Sequence, residues 1–188
     1  MNILILGPQG SGKSTQAQLL ALDLGLPYIA MGEILRTISL LKDSPTARIV
    51  KQKLEQGKLI PLDLASSIIN KRLEQKDCQK GFVLDGFPRN RKQLTPLKIK
   101  FDKVFYIKVS DKEGIRRLLA RGRQDDTPEI IAERLRIYHG ETEALLETFR
   151  KDKILEEIEG ERSAEEIHQD ILERVRARSD KHKKQKRT

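Results

Sequence analysis

The sequence predicts an α/β fold of three layers, a central five-stranded parallel sheet with helices on both faces. Three observations predict it. Short apolar runs alternate with longer helical stretches along the 188 residues, the pattern of repeated strand–helix units. The run Ile3–Leu6 is apolar throughout, as a strand buried on both faces requires. A glycine-rich turn follows that run directly and opens into a helical stretch. That places a loop at the carboxyl end of a strand, where ligands bind in such sheets.

Ile3–Leu6 is the first strand, and the first helix reaches about Leu24. Pro27–Ala30 is a short second strand. Gly32–Leu41 and Pro45–Gln56 are two helices, the second closed by Gly57. Asp63 is placed to cap the next helix, which runs toward Lys76. Gly81–Asp85 is an apolar strand ending in an acid, and Lys103–Val109 is another, rich in Val, Ile and aromatic residues. Ser110 or Asp111 opens a helix to about Arg121. Pro128 suits the first turn of a further helix toward Lys151. Ile154–Ile158 is the fifth strand, and Ser163-Ala164-Glu165-Glu166 is a capping box that starts the last helix.

The length suits one domain with a real core. Formal net charge is +9, of which +6 falls between Arg176 and Thr188. The body is therefore only mildly basic. The tail has too little apolar content to bury, so disorder is expected past about Ser179. It also lacks the interleaved aromatics that stack on bases. A solvated tail is the expectation, and nucleic acid is not an expected partner. The single cysteine, Cys78, cannot form an internal disulfide, and no Cys/His cluster has zinc-ligand spacing. The apolar start breaks at Gly7, too short for a signal peptide or a membrane span. A cytoplasmic protein, a monomer or small homo-oligomer, is expected.

Gly7-Pro8-Gln9-Gly10-Ser11-Gly12-Lys13-Ser14 fits the pattern G-x-x-x-x-G-K-[ST]. Glycines let the backbone curl until several N–H groups face one anion. The helix starting at Lys13 adds its positive end. Gly10, Ser11, Gly12, Lys13, Ser14 and Thr15 are thus candidate ATP-binding residues. Lys13 reaches the β- and γ-phosphates, and the Ser14 hydroxyl can ligate Mg²⁺. Asp85, ending its strand, is the second candidate magnesium residue, acting partly through water.

Beyond this loop the chain resembles the adenylate kinase family. The resemblance rests on Gly7–Ala17, on Tyr28–Arg36 (YIAMGEILR) and on Gly57-Lys58-Leu59-Ile60-Pro61. It rests most specifically on Asp85-Gly86-Phe87-Pro88-Arg89 with Gln93, then on Arg117, Arg121, Arg123-Gln124-Asp125-Asp126 and Arg134. It spans residues 1–175. It implies a P-loop kinase fold with a helical monophosphate-binding insert over about residues 31–60, and transfer of a phosphoryl group from ATP to AMP. By resemblance, Arg36 and Arg89, the latter beside Gly86, hold the AMP phosphate. Lys58, Leu59 and Ile60 present backbone to the adenine, and Gln93 reads its edge. Arg117 and Arg121 contact ATP and the transferring group, while Arg123 and Arg134 reach the phosphates from the AMP side. Arg162 falls where the family packs backbone against the ATP base.

A cluster of arginines suits this chemistry on physical grounds. Two polyanions must meet, and guanidinium groups bind phosphate oxygens in pairs and stay charged. No general base is needed, because the attacking phosphate oxygen is already anionic. Two departures matter. Met31 stands where the family usually has threonine, which leaves UMP or CMP as the alternative acceptor. Arg121–Asp126 runs straight through where many relatives insert a lid of about thirty residues, so the lid is very short and no zinc is implied. The rival class is an RNA-associated ATPase or nucleotide-binding factor. The set Arg36, Arg89, Gln93 and Arg134 argues for the kinase, since such a factor needs no second nucleotide site.

Overall fold

The computed structural model describes the backbone of residues 1–185 and side chains through Ala177. Five strands form one parallel sheet: β1 (Asn2–Leu6), β2 (Tyr28–Ala30), β3 (Phe82–Asp85), β4 (Lys103–Lys108) and β5 (Leu155–Glu159). Their spatial order is β2-β3-β1-β4-β5. β1 is central, pairing Ile5 with Asp85 on one side and with Phe105 on the other. Two carboxyl ends, Leu6 and Asp85, therefore lie side by side at the point where the chain crosses from one half of the sheet to the other.

Alternate residues of β1 face opposite layers. Ile3 and Ile5 pack with Leu20 of α1 (Lys13–Leu24) and with Ile167 and Ile171 of α8 (Ala164–Gln185). Leu4 and Leu6 pack with Ile69 of α4 (Leu62–Leu73) and with Leu145 and Phe149 of α7 (Glu143–Lys151). Ile3, Leu4 and Ile5 have no exposed surface. Truncating any of them to alanine costs about 2–5 kcal/mol.

The insert between β2 and β3 opens with α2 (Met31–Ser39) and α3 (Pro45–Glu55). Ser44 accepts from the Ala47 N–H at 3.2 Å, and Pro45 sits in the first turn. Asp63 does not cap α4. Pro61 holds that position and Asp63 lies inside the first turn, where its charge still complements the helix dipole. Ser110 caps α5 (Asp111–Arg121), and Thr127 caps α6 (Pro128–Ile137). The capping box of α8 is formed: Ser163 N–H donates to Glu166 at 2.9 Å, and the Glu166 N–H returns to Ser163 Oγ at 3.2 Å.

Two segments differ from expectation. The single helix predicted from Pro128 toward Lys151 is two helices joined by a π-helical turn, Tyr138–Thr142. The turn holds Gly140, which lowers the cost of leaving the α-helical path. The backbone of α8 runs to Gln185, past Ser179, where disorder is predicted. Lys, Arg and Gln are good helix formers, so a helix already anchored by packing extends through them. The expected disorder at the last residues, 186–188, falls outside the described ones. Among the described residues no helix is long and apolar enough to cross a membrane.

Candidate functional site

The loop between β1 and α1 owes its shape to contacts that leave no room for side chains. Gly10 has φ +79°, and a Cβ there would stand 2.2 Å from the carbonyl oxygen of Gly114 in α5. A Cβ on Gly114 would stand 2.6 Å from Gln9 O. The two glycines let the loop lie directly on α5. Gly12 has open space around it but a φ of +83°, a left-handed conformation that glycine adopts freely. Ser11 Oγ is buried with no hydrogen-bond partner. Thr15 is exposed on the first turn of α1, outside the cavity that this loop borders.

Gly10, Lys13 and Ser14 line that cavity. Lys13 Nζ donates to Pro8 O of its own loop at 3.0 Å. Its pKa is lowered to about 8, first by burial, with Arg89, Arg121 and Arg134 adding repulsion against the opposing pull of Asp85. The Ser14 hydroxyl donates to Asp85 Oδ2 at 2.5 Å, while Asp85 Oδ1 is buried without a partner. A hydroxyl beside a buried, half-satisfied carboxylate suits Mg²⁺, which takes oxygen ligands from one or two such groups together with phosphate and water. Among the described residues no group of three or more His, Cys, Asp or Glu could hold a metal by itself.

The far wall comes from the insert and from the segment after β3. Arg36 of α2 lines it, as do Lys58, Leu59 and Ile60 between α3 and α4. Gly86, Arg89 and Gln93 line it from the β3 side. Arg89 is pushed below its ordinary pKa by burial, then by Arg134 and Arg36, against Asp85. Its Nε donates to Gly86 O at 3.0 Å. Gln93 is 4% exposed, and its Oε1 accepts the Arg89 N–H at 2.7 Å. That bond orients the amide so that its NH₂ is the donor left for a ligand. Met31, also buried, lies on the same wall.

Arg121 at the end of α5, Arg123 in the short segment after it and Arg134 of α6 close the cavity. Two acids hold two of them. Arg121 grips Asp126 through two bonds at 2.9 and 2.7 Å. Arg134 donates to Asp125 at 2.5 Å and to Asp126 at 3.5 Å. Arg123 also presses on Arg36, whose pKa is lowered by burial first and by Arg123 next. So many cations in one enclosure repel each other, and an entering anion relieves that repulsion.

Not every predicted residue arrives. Arg117 lies outside the cavity lining, bound to Glu113 at 2.6 Å. Arg162 also lies outside it, donating to Glu159 O at 3.2 Å and to Asp170 at 2.7 Å. Five contributors escaped the sequence reading. Asp125 and Asp126 were visible as adjacent acids among arginines, yet were given no role. Gly114 carried a signal too, since a mid-helix glycine costs about 1 kcal/mol and needs a packing reason. Glu33 and Tyr28 line the same cavity, and the Tyr28 hydroxyl is buried without a hydrogen-bond partner. Nothing in their spacing marked them.

Comparison with known proteins finds relatives over most of the chain. The family model described as adenylate kinase matches residues 5–154. The chain is 40% identical over 159 residues to the adenylate kinase of Mycolicibacterium smegmatis, covering 81% of this chain and 87% of that protein. It is 39% identical over 180 residues to the adenylate kinase of Corynebacterium aurimucosum, covering 92% and 98%. It is 36% identical over 176 residues to adenylate kinase 1 of a Nostoc species, covering 90% and 95%.

Proposed function

This chain belongs to the adenylate kinase family, and we propose that it transfers a phosphoryl group reversibly between ATP and AMP, giving two ADP. One observation carries the reading. A single cavity is bordered by the phosphate loop on one side, by Arg36, Arg89 and Gln93 on the other, and by Arg121, Arg123 and Arg134 between them. Cationic and polar groups on two facing walls are what two nucleotides meeting phosphate to phosphate would need.

In this reading the loop amides from Gly10 to Thr15 cradle the ATP phosphates, and Lys13 bridges β and γ. Ser14 and Asp85 hold Mg²⁺, which neutralises phosphate charge when bound. Arg36 and Arg89 fix the AMP phosphate in line with the γ-phosphoryl group. Gln93 and the backbone of Lys58–Ile60 receive the adenine. Arg121, Arg123 and Arg134 stabilise the charge spread over the transferring group. Arg117 joins them once a nucleotide draws it from Glu113, and the backbone at Arg162 borders the ATP base. Residues 31–60 act as the monophosphate-binding part and 121–126 as a minimal lid. The enzyme works in the cytoplasm.

A coupled assay with ATP and Mg²⁺ plus AMP, UMP, CMP or GMP tests this. ADP formation with AMP at the highest kcat/KM is expected. Absence of diphosphate product with AMP overturns the reading, and a preference for UMP or CMP would assign Met31 to a pyrimidine site.

A further inference from the structure

The π-helical turn Tyr138–Thr142 lies outside the cavity lining, yet it is tied to the sheet, to α5 and to the segment that carries Arg89. Tyr138 Oη donates to Tyr106 Oη of β4 at 2.9 Å. The ring of His139 sits 2.9 Å from Asp111, the first residue of α5, and 2.8 Å from Glu143. The turn is therefore fixed to two rigid elements.

From that fixed base the turn reaches the Arg89 segment twice, and the start of α7 once more. Thr142 Oγ1, in a residue only 6% exposed, donates to Arg89 O at 2.7 Å. Glu141 accepts from Asn90 Nδ2 at 2.8 Å, and Ala144 O accepts from Arg91 Nε at 3.0 Å. The Arg89 residue is thus held at both backbone polar groups. Gln93 takes its N–H and Thr142 meets its carbonyl, each at 2.7 Å. A continuous α-helix from Pro128 would turn the residues after the break by about 100° relative to the π-helical path. Thr142 would then point elsewhere.

We propose that this turn is a bracket for the acceptor side of the site, with Thr142 a positioning residue that sets Arg89 for the monophosphate. The proposal rests on the reading of Arg89 as an acceptor-phosphate ligand. It explains why a buried threonine hydroxyl and an interrupted helix occur together at this place.

The test compares Thr142→Val, which keeps shape and removes the hydroxyl, with Thr142→Ser, which keeps the hydroxyl. Measured are KM for AMP, KM for ATP, kcat, AMP binding by calorimetry and Tm. Thr142→Val is expected to weaken AMP binding and raise KM for AMP by about fivefold, the loss of one buried hydrogen bond. KM for ATP stays within about twofold, and Thr142→Ser restores the wild-type value. A fall in Tm with AMP affinity unchanged overturns the proposal, as does an equal rise in both KM values. If Thr142→Val does not fold, the exposed contact carries the test. Glu141→Ala is expected to raise KM for AMP by about twofold, and an unchanged value overturns the bracket. Wild-type protein that binds no AMP would instead overturn the underlying reading of the site.

Discussion

Asp126→Asn should cost both stability and turnover, because one buried carboxylate holds two arginines. The Asp126 side chain has no exposed surface. It accepts two bonds from Arg121, one from Arg134 at 3.5 Å, and the Arg123 N–H at 3.4 Å. Asparagine keeps the shape and one acceptor but removes the charge. Breaking a buried ion pair typically costs about 3–5 kcal/mol. Here Arg121 is 38% exposed and Arg134 keeps Asp125, so water and the second acid return part of that. About 2–3 kcal/mol of destabilisation remains. For a chain of this length each kcal/mol lowers Tm by about 2–4 °C, so thermal unfolding should shift down by about 4–12 °C. The loss should persist in about 0.5 M NaCl, because a buried pair is weakly screened. Turnover should fall by about tenfold or more, since Arg121 loses its fixed direction. Circular dichroism melts and the coupled assay read the two effects. A Tm within about 2 °C of wild type together with full turnover would refute the reasoning.

Three further outcomes are expected. Gly114→Ala should lower nucleotide affinity by about tenfold in calorimetry, because its Cβ would meet Gln9 O at 2.6 Å and push the phosphate loop. Tm should fall despite the gain in helix propensity, and a stabilised variant with normal affinity would contradict this. Arg121→Ala or Arg123→Ala should reduce turnover by at least ~100-fold with the fold intact by circular dichroism; near-normal turnover in both would remove them from the transition state. His139 has its pKa raised above 6.5, first by the bond it donates to Asp111, opposed by partial burial and helped by Glu143. A group with a raised folded pKa stabilises below its unfolded pKa and loses that contribution as pH rises through the folded one. The Tm difference between wild type and His139→Gln should therefore be largest below about pH 6.5 and shrink above it; a difference that grows with pH contradicts the pairing.

The sheet was legible because a strand buried on both faces must be apolar, as Ile3–Leu6 and Phe82–Leu84 are. The caps Ser110 and Ser163 were legible because a cap satisfies N–H groups two or three residues on. Asp63 misled for a related reason. An acid near a helix start is favoured both as a cap and within the first turn, and only the backbone path after Pro61 separates the two. Cavity-lining residues were legible where they lie close in sequence, as Gly10, Lys13 and Ser14 do, and then Asp85, Gly86, Arg89 and Gln93. Arg117 and Arg121 lie one helical turn apart and look equivalent in the sequence. They part because Glu113 holds the first, while the chain after Gly122 returns to place Asp126 against the second.

By itself, then, the sequence determined what local chemistry can determine. It set the alternation of strands and helices, the loop that can wrap a phosphate, and the residue types that can face a second one. The tertiary structure decided which arginines enter the cavity, that the phosphate loop lies on Gly114, and that the helix beyond Arg134 breaks into a π-turn beneath Arg89. Each of those depends on partners from distant parts of the chain. A side chain's direction is set by the charge, hydrogen bond or packing it meets across space, and spacing along the sequence does not record that meeting.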